Sequence, residues 1–292
     1  MELRHIRYFL AVAEEQNFTR AAARVGIGQP PLSQQIRDLE AEVGAPLFHR
    51  VPHGAELTEA GRAFLEAARP LPLQAEQALL AARRAGRGET GALRVGFTGS
   101  APFNPVVTAA IRAFRRAFPE VELTLEEANT TRLVAALREG AVDAVFLRSR
   151  AVAGEDLQLR HLPEEPMLAA LPAGHPAAAR GAVDLALLRE DAFILTPRAV
   201  GPTLYDTVIA ACRRAGFEPI LGQAAPQMSS VVNLVAAELG VSLVPASMRQ
   251  LQVIGVAYRP IAGEAPMAQL SLASRRGERS VLVRNFIAWA GA

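Results

Sequence analysis

The stretch NFTRAAARVGIGQPPLSQQIRDLEAEV, residues 17–43, decides how the N-terminal part of this chain folds. Asn17 is a helix N-cap residue type, because its short side chain can accept from the free amides of a first turn. Phe18, Ala22 and Val25 then fall on one helical face, and Gly26 suits the left-handed conformation that closes a helix. After Ile27 a further helix opens near Gly28 or Gln29. Pro30 and Pro31 are tolerated there, since first-turn amides have no intrahelical acceptor. Leu32, Ile36, Leu39 and Val43 form one apolar stripe, with Ser33, Gln34 and Arg37 off it and Gln29 and Pro30 on the turn before. Two short helices joined by a glycine turn, the second with a polar outer face, make a helix-turn-helix pattern. In isolation that polar face would be a solvated surface. Placed after this turn, it presents its N-terminal residues to base edges in the major groove. Gln34 can pair with adenine, Arg37 with guanine or a phosphate, and Ser33 with either. The prolines can pack on a thymine methyl.

The flanking residues complete a module over 1–58. Upstream, LRHIRYFLAVAEE sets Leu3, Ile6, Leu10 and Ala13 at helical spacing with Phe9 beside them. Downstream, Leu47 and Phe48 should dock into a three-helix core, and Pro52 to Gly54 should turn between two short strands. Arg50, His49 and His53 sit where such a wing meets the phosphate backbone. No further His or Cys stands at ligand spacing, so neither a metal nor a cofactor is expected.

Residues 59–86 read as one long linker helix capped by Thr58, with Glu59 favourable at its N-terminal dipole. Ala60, Phe64, Leu65, Ala68, Leu71, Ala75 and Leu79 form a stripe too long for one small domain to bury, which calls for a partner helix from a second copy. A twofold dimer also suits two DNA half-sites. Pro70 and Pro72 each remove a backbone hydrogen bond and should kink the helix. The glycines between 86 and 91 form a hinge over 87–92.

From Leu93 to the end, strand-like and helical runs alternate, the pattern of an α/β effector domain. Its first lobe should span about 93–162 and 266–292, and its second about 163–265. The strand ending at Phe97, the loop Thr98-Gly99-Ser100 and the helix opened by Asn104 and Pro105 place amides and a hydroxyl at a sheet's C-terminal edge, an arrangement that favours an anion. The pattern recurs at VELTLEEA, where Asn129 and Thr130 precede a helix ending at Gly140, and VDAVFL leads into Arg148. Ser100, Asn129, Thr130 and Arg148 could therefore converge on one cleft, although each also has an ordinary reading as a cap or a salt-bridge residue.

Bulk properties narrow the function classes. Half of the 292 residues are apolar, the formal net charge is only +2, and all basic residues of the Lys+Arg class are Arg. DNA binding must therefore be argued from where charges sit. No apolar run spans a bilayer, and the N-terminal stretch has no signal-peptide pattern, so a cytoplasmic protein without membrane contact is expected. The single Cys212 reads as a buried structural thiol. An enzyme using Ser100 as nucleophile is disfavoured, because GFTGS is not a G-x-S-x-G elbow and His161 and His175 have no triad context. A solute receptor without DNA binding leaves the helix-turn-helix unexplained.

The stretch ELRHIRYFLAVAEEQNFTRAAARVGIGQPPLSQQIRDLEAEVGAPLFHR to GAELTEAG resembles the N-terminal domain of LysR-type transcriptional regulators, and LVAAELGVSLVPAS resembles that family's effector domain. The doubled proline resembles the subgroup controlling benzoate, catechol and chlorocatechol degradation. The resemblance implies an all-α winged helix-turn-helix plus linker helix, then a two-lobed α/β domain like periplasmic binding proteins. It implies promoter DNA as partner, homodimers assembling into homotetramers, and Gln29, Pro30, Pro31, Ser33, Gln34 and Arg50 as DNA contacts. It further implies Ser100 and Thr130 as holders of effector carboxylates, with Pro202 and Leu204 lining the pocket from the second lobe. Position 34 is often Arg in such proteins and is Gln here, and His53 stands where a wing Arg is common. Leu204 replaces a larger aromatic, and Gln227 stands where relatives carry a carboxylate. The effector expected is a small carboxylate such as a muconate-like diacid or an aromatic acid; a receptor for an acid outside aromatic pathways is the alternative.

Overall fold

In the computed structural model, which describes residues 1–52, 54–151 and 154–290, two units separate at Met1–Arg84 and Ala85–Ala292. The first begins with α1 (Leu3–Glu15), α2 (Phe18–Val25) and α3 (Gln29–Val43). Asn17 caps α2 through its side chain, which accepts from the Thr19 and Arg20 amides, and Gly26 closes α2 at φ 75°. Phe9, Val12, Ala21, Leu32, Ile36 and Leu39 fill the centre of the three helices. Strands β1 (Phe48–Val51) and β2 (Gly54–Leu57) form the antiparallel wing. Leu47 and Phe48 are buried in the helical core, as their sequence pattern predicts. The Glu40 carboxylate accepts from the Leu47 and Phe48 amides at 2.8 and 3.2 Å and fixes where the wing leaves α3. Leu3 and Val43, read as members of apolar stripes, are exposed, because both lie in end turns that run past the core.

Two helices, α4 (Glu59–Ala68) and α5 (Leu71–Gly86), replace the single long linker helix. The break follows from Pro70 and Pro72, which cannot donate to the carbonyls one turn earlier. Thr58 caps α4, its hydroxyl accepting from the Gly61 amide at 2.9 Å. Phe64 packs edge-on against Phe9, with centroids 4.8 Å apart. Gly61 is required here, because a Cβ would lie 2.1 Å from the Leu47 carbonyl oxygen. α5, by contrast, buries none of its residues, and Leu73 and Leu79 are each 59% exposed.

In the second unit, β3 (Gly91–Phe97), α6 (Pro105–Ala117), β4 (Val121–Glu127), α7 (Thr130–Glu139), β5 (Ala144–Leu147) and β6 (Leu157–His161) begin a first lobe. The chain then builds a second lobe from β7 (Glu165–Pro172), β8 (Ala192–Leu195), α8 (Pro202–Arg214), β9 (Ile220–Ala224), α9 (Met228–Ala236), β10 (Ser242–Pro245), β11 (Val256–Pro260) and β12 (Met267–Ala268). It returns to the first lobe with β13 (Ser271–Arg275) and α10 (Val281–Trp289). The first sheet has the order β4-β3-β5-β13-β6, parallel across β4, β3 and β5 and antiparallel at β13. In the second lobe β7 pairs with β10, β11 and β12, and β8 pairs with β9. α9 ends at Ala236, and Glu238 just beyond it adopts a left-handed φ of 60°. Cys212 is fully buried, and burial, with Glu218 nearby, pushes its thiol up to about 11, consistent with an inert packing role.

The chain crosses between lobes after β6 and before β13. The buried Gln269 amide ties the two crossings together, donating to the Leu162 and Leu270 carbonyls at 3.0 and 2.7 Å.

Candidate functional site: a DNA-reading helix and an interlobe anion cavity

Gly28 caps α3 and the two prolines occupy its first turn, so the exposed N-terminal end of the helix carries Pro30, Pro31, Gln34 and Arg37. Gln34 is held on both sides: its Oε1 accepts from Arg37 Nη2 at 2.6 Å and its Nε2 donates to Asp38 at 2.8 Å. Ser33 departs from its expected placement. It is buried, and its hydroxyl accepts from Gln29 Nε2 at 2.8 Å. The reason is that α3 packs against both α1 and α2, so its buried face is wider than one stripe. Arg50 is exposed on β1 with its guanidinium 5.2 Å from the Phe18 ring centroid, a cation–π placement that holds it on the wing. His53 lies outside the described residues.

Between the lobes of the second unit opens a cavity of about 310 Å³. From the first lobe, Ser100, Asn129, Thr130 and Arg148 all line it, the convergence that their sequence positions predict. Leu204 and Gln227 line it from the second lobe; Pro202 does not, and Gly201 takes its place. Pro202 is the first residue of α8, where a ring without an N–H costs nothing, and it serves the helix start. Thr131 Oγ1 donates across the cleft to the Ala199 carbonyl at 3.0 Å.

Arg148 is the electrostatic centre. It is 3% exposed, and its Nη2 donates to Glu165 at 2.7 Å while its Nε donates to Ser100 Oγ at 3.1 Å. Glu165, at the start of β7, also accepts from Asn104 Nδ2 at 2.9 Å and from the Ser247 amide at 2.6 Å. Burial alone would raise the Glu165 carboxyl; the Arg148 charge and these donors outweigh it and hold it below the usual carboxylate range. Burial draws the Arg148 pKa down, opposed by Glu165, and a guanidinium stays charged regardless.

Two atoms are left over. Arg148 Nη1 and Thr98 Oγ1 are buried without a hydrogen-bond partner among the described residues, and both residues line the cavity. Such orphaned groups are costly unless a ligand or water completes them. The Asn129 side chain caps α7 by accepting from Arg132, which leaves the Thr130 end of the helix facing the same space. Sequence reading passed over Thr98 and Glu165. Thr98 had a signal, since it directly follows the strand whose edge was assigned to an anion. Glu165 had none, because only the lobe topology brings β7 to Arg148.

A helix-turn-helix with its wing, followed in the chain by a two-lobed α/β domain with a polar cavity between the lobes, is the plan of a DNA-binding regulator with an effector domain. Residues 3–62 match the bacterial regulatory helix-turn-helix model of the lysR family, and residues 86–292 match the LysR substrate binding domain. The chain belongs to the LysR family of transcriptional regulators and is a DNA-binding regulator, not an enzyme. It is 41% identical to the uncharacterized HTH-type transcriptional regulator YnfL of Escherichia coli (strain K12), covering 98% of this chain and 96% of YnfL. It is 39% identical to the HTH-type transcriptional regulator BudR of Raoultella terrigena, covering 98% of this chain and 99% of BudR. Its fold is similar to that of full-length CbnR crystallised with its target DNA, with a TM-score of 0.87, 28% identity and coverage of 99% and 98%. Among the described residues no helix is long and apolar enough to cross a membrane.

Proposed function

We propose that this regulator acts in the cytoplasm, binds its promoter through α3 and the wing, and is switched by a small carboxylate held between the lobes of its second unit. The observation that carries the effector reading is the pair of orphaned buried donors, Arg148 Nη1 and Thr98 Oγ1, facing one cavity. A carboxylate would complete both, with Ser100 and the start of α7 as further donors. For DNA, the exposed Gln34, Arg37 and Arg50 are the proposed contacts, with Pro30 and Pro31 against the duplex and Gln29 acting through its bond to Ser33. The unburied face of α5 supports pairing with a second copy, and dimers are proposed to assemble into tetramers. The domain plan is DNA-binding over 1–58, linker over 59–86, hinge over 87–92 and effector binding over 93–292. Effector binding works by favouring one degree of lobe closure, and with it one spacing of the paired DNA-binding modules.

The test is a mobility-shift and footprinting assay on the DNA upstream of the protein's own gene, with and without cis,cis-muconate, benzoate and short-chain carboxylates. A footprint that changes with one of these acids supports both parts. Specific binding that ignores every acid would remove the effector class and leave the regulator. Ser100→Ala should weaken the response to any acid that acts.

A further inference from the structure

We infer that the effector carries a hydrogen-bond donor, a hydroxyl or an ammonium, close to its carboxylate, so that the cavity takes hydroxy or amino acids in preference to dicarboxylates. This rests on the carboxylate reading above and adds a second requirement to it. Glu127, the last residue of β4, lines the same cavity as Arg148 and Thr98. Among the described residues its carboxylate makes no hydrogen bond or ion pair, whereas the neighbouring Glu126 stands 3.6 Å from Arg132.

The position of that free acceptor is set by Gly99. A Cβ there would lie 2.8 Å from Glu127 Oε1, so the missing side chain is what lets the carboxylate lean onto the Thr98–Ser100 loop. The next residue, Ser100, accepts from Arg148 Nε at 3.1 Å. Successive Cα atoms stand about 3.8 Å apart. The cationic end of the cavity and the free carboxylate therefore flank one dipeptide, a spacing that a single small ligand covers. A ligand carboxylate seated on Arg148 and Thr98 leaves its adjacent carbon facing Glu127. A hydroxyl or ammonium on that carbon donates to Glu127, while a second carboxylate meets a like charge. Arg132 also lines the cavity but is offset by Glu126, and Gln227 opposite is neutral and serves either ligand.

The experiment is isothermal titration calorimetry of the full chain with a three-carbon set: propionate, lactate, alanine and malonate. Wild type is expected to bind lactate or alanine at least about tenfold more tightly than malonate, which at about 1.4 kcal/mol per decade is within the reach of one charge-assisted contact. Glu127→Gln should reduce that ratio below about threefold, Glu127→Asp should keep most of it, and Glu122→Gln, exposed on the same strand but away from the cavity, should leave it unchanged. DNA binding and far-UV circular dichroism of each variant confirm folding. Malonate binding as tightly as lactate and alanine, or a preference that survives Glu127→Gln, overturns the inference while leaving the carboxylate reading intact. No heat from any of the four acids overturns this inference, and together with a footprint that ignores muconate and benzoate it removes the carboxylate reading as well.

Discussion

Replacing Glu165 by Gln should destabilise the second unit by about 3 kcal/mol, the lower end of the 3–5 kcal/mol typical of breaking a buried ion pair by removing one partner. The carboxylate accepts from Arg148, from Asn104 and from Ser247, while Arg148 is 3% exposed and has no other carboxylate in contact among the described residues. Glutamine keeps one accepting oxygen, so part of the Asn104 and Ser247 bonding survives; the buried guanidinium does not regain a counter-charge. For a unit of this size each kcal/mol moves Tm by about 2–4 °C, which gives a loss of about 6–12 °C. Differential scanning calorimetry measures it on the whole chain. Fluorescence of the single Trp289, in α10 of the first lobe, reports the same unit. The double replacement Arg148→Met with Glu165→Leu removes both charges and should cost less than Glu165→Gln alone. A single variant melting within about 1 °C of wild type, or a double variant melting below the single one, would refute the reasoning.

The same pair sets a pH dependence. Because the folded Glu165 carboxyl lies below its ordinary value of 4.5, its contribution is full above that pH and is lost as pH falls through the folded value, so the Tm gap between wild type and Glu165→Gln should close on acidification below 4.5. Gly61→Ala would ordinarily favour a helix by about 1 kcal/mol, yet here the added Cβ meets the Leu47 carbonyl oxygen at 2.1 Å; urea titration of the first unit should show a loss above about 2 kcal/mol. Arg50→Ala should weaken DNA binding on all sequences alike and reduce the slope of log K against log salt by about 1, whereas a base-specific loss in a binding-site selection would place Arg50 on a base edge.

Much of the first unit was legible because its signals are local. Asn17 and Gly26 bound α2 by backbone chemistry that involves no distant residue, and Leu47 and Phe48 announce the docked wing by being apolar beside a turn. Ser33 was misplaced for a reason of geometry: a stripe counted along one helix assumes a single packing partner, and α3 has two. The linker break was foreseeable from Pro70 and Pro72, but the ends of α4 and α5 depend on which free carbonyls find other donors. In the second unit, Ser100, Asn129, Thr130 and Arg148 could be grouped because each ends or follows a strand of one sheet. Pro202 was misassigned because its identity speaks for a helix start and says nothing about which way it faces. Glu127 and Glu165 were invisible as site residues: a strand-end glutamate reads as solvated until the topology shows what stands opposite.

The order in which this chain visits its lobes has a consequence for biosynthesis. The second lobe is one continuous stretch, whereas β13 lies in the sheet between β5 and β6 and α10 contributes Phe286 to the first lobe's core. A nascent chain can therefore complete the later lobe while the earlier one still waits for its own last strand. A premature stop near residue 270 would leave the DNA-reading module and second lobe encoded in full, with an unfinished sheet between them. Such late truncations would act as folding lesions and expose β5 and β6 as unpaired edges to quality-control proteases.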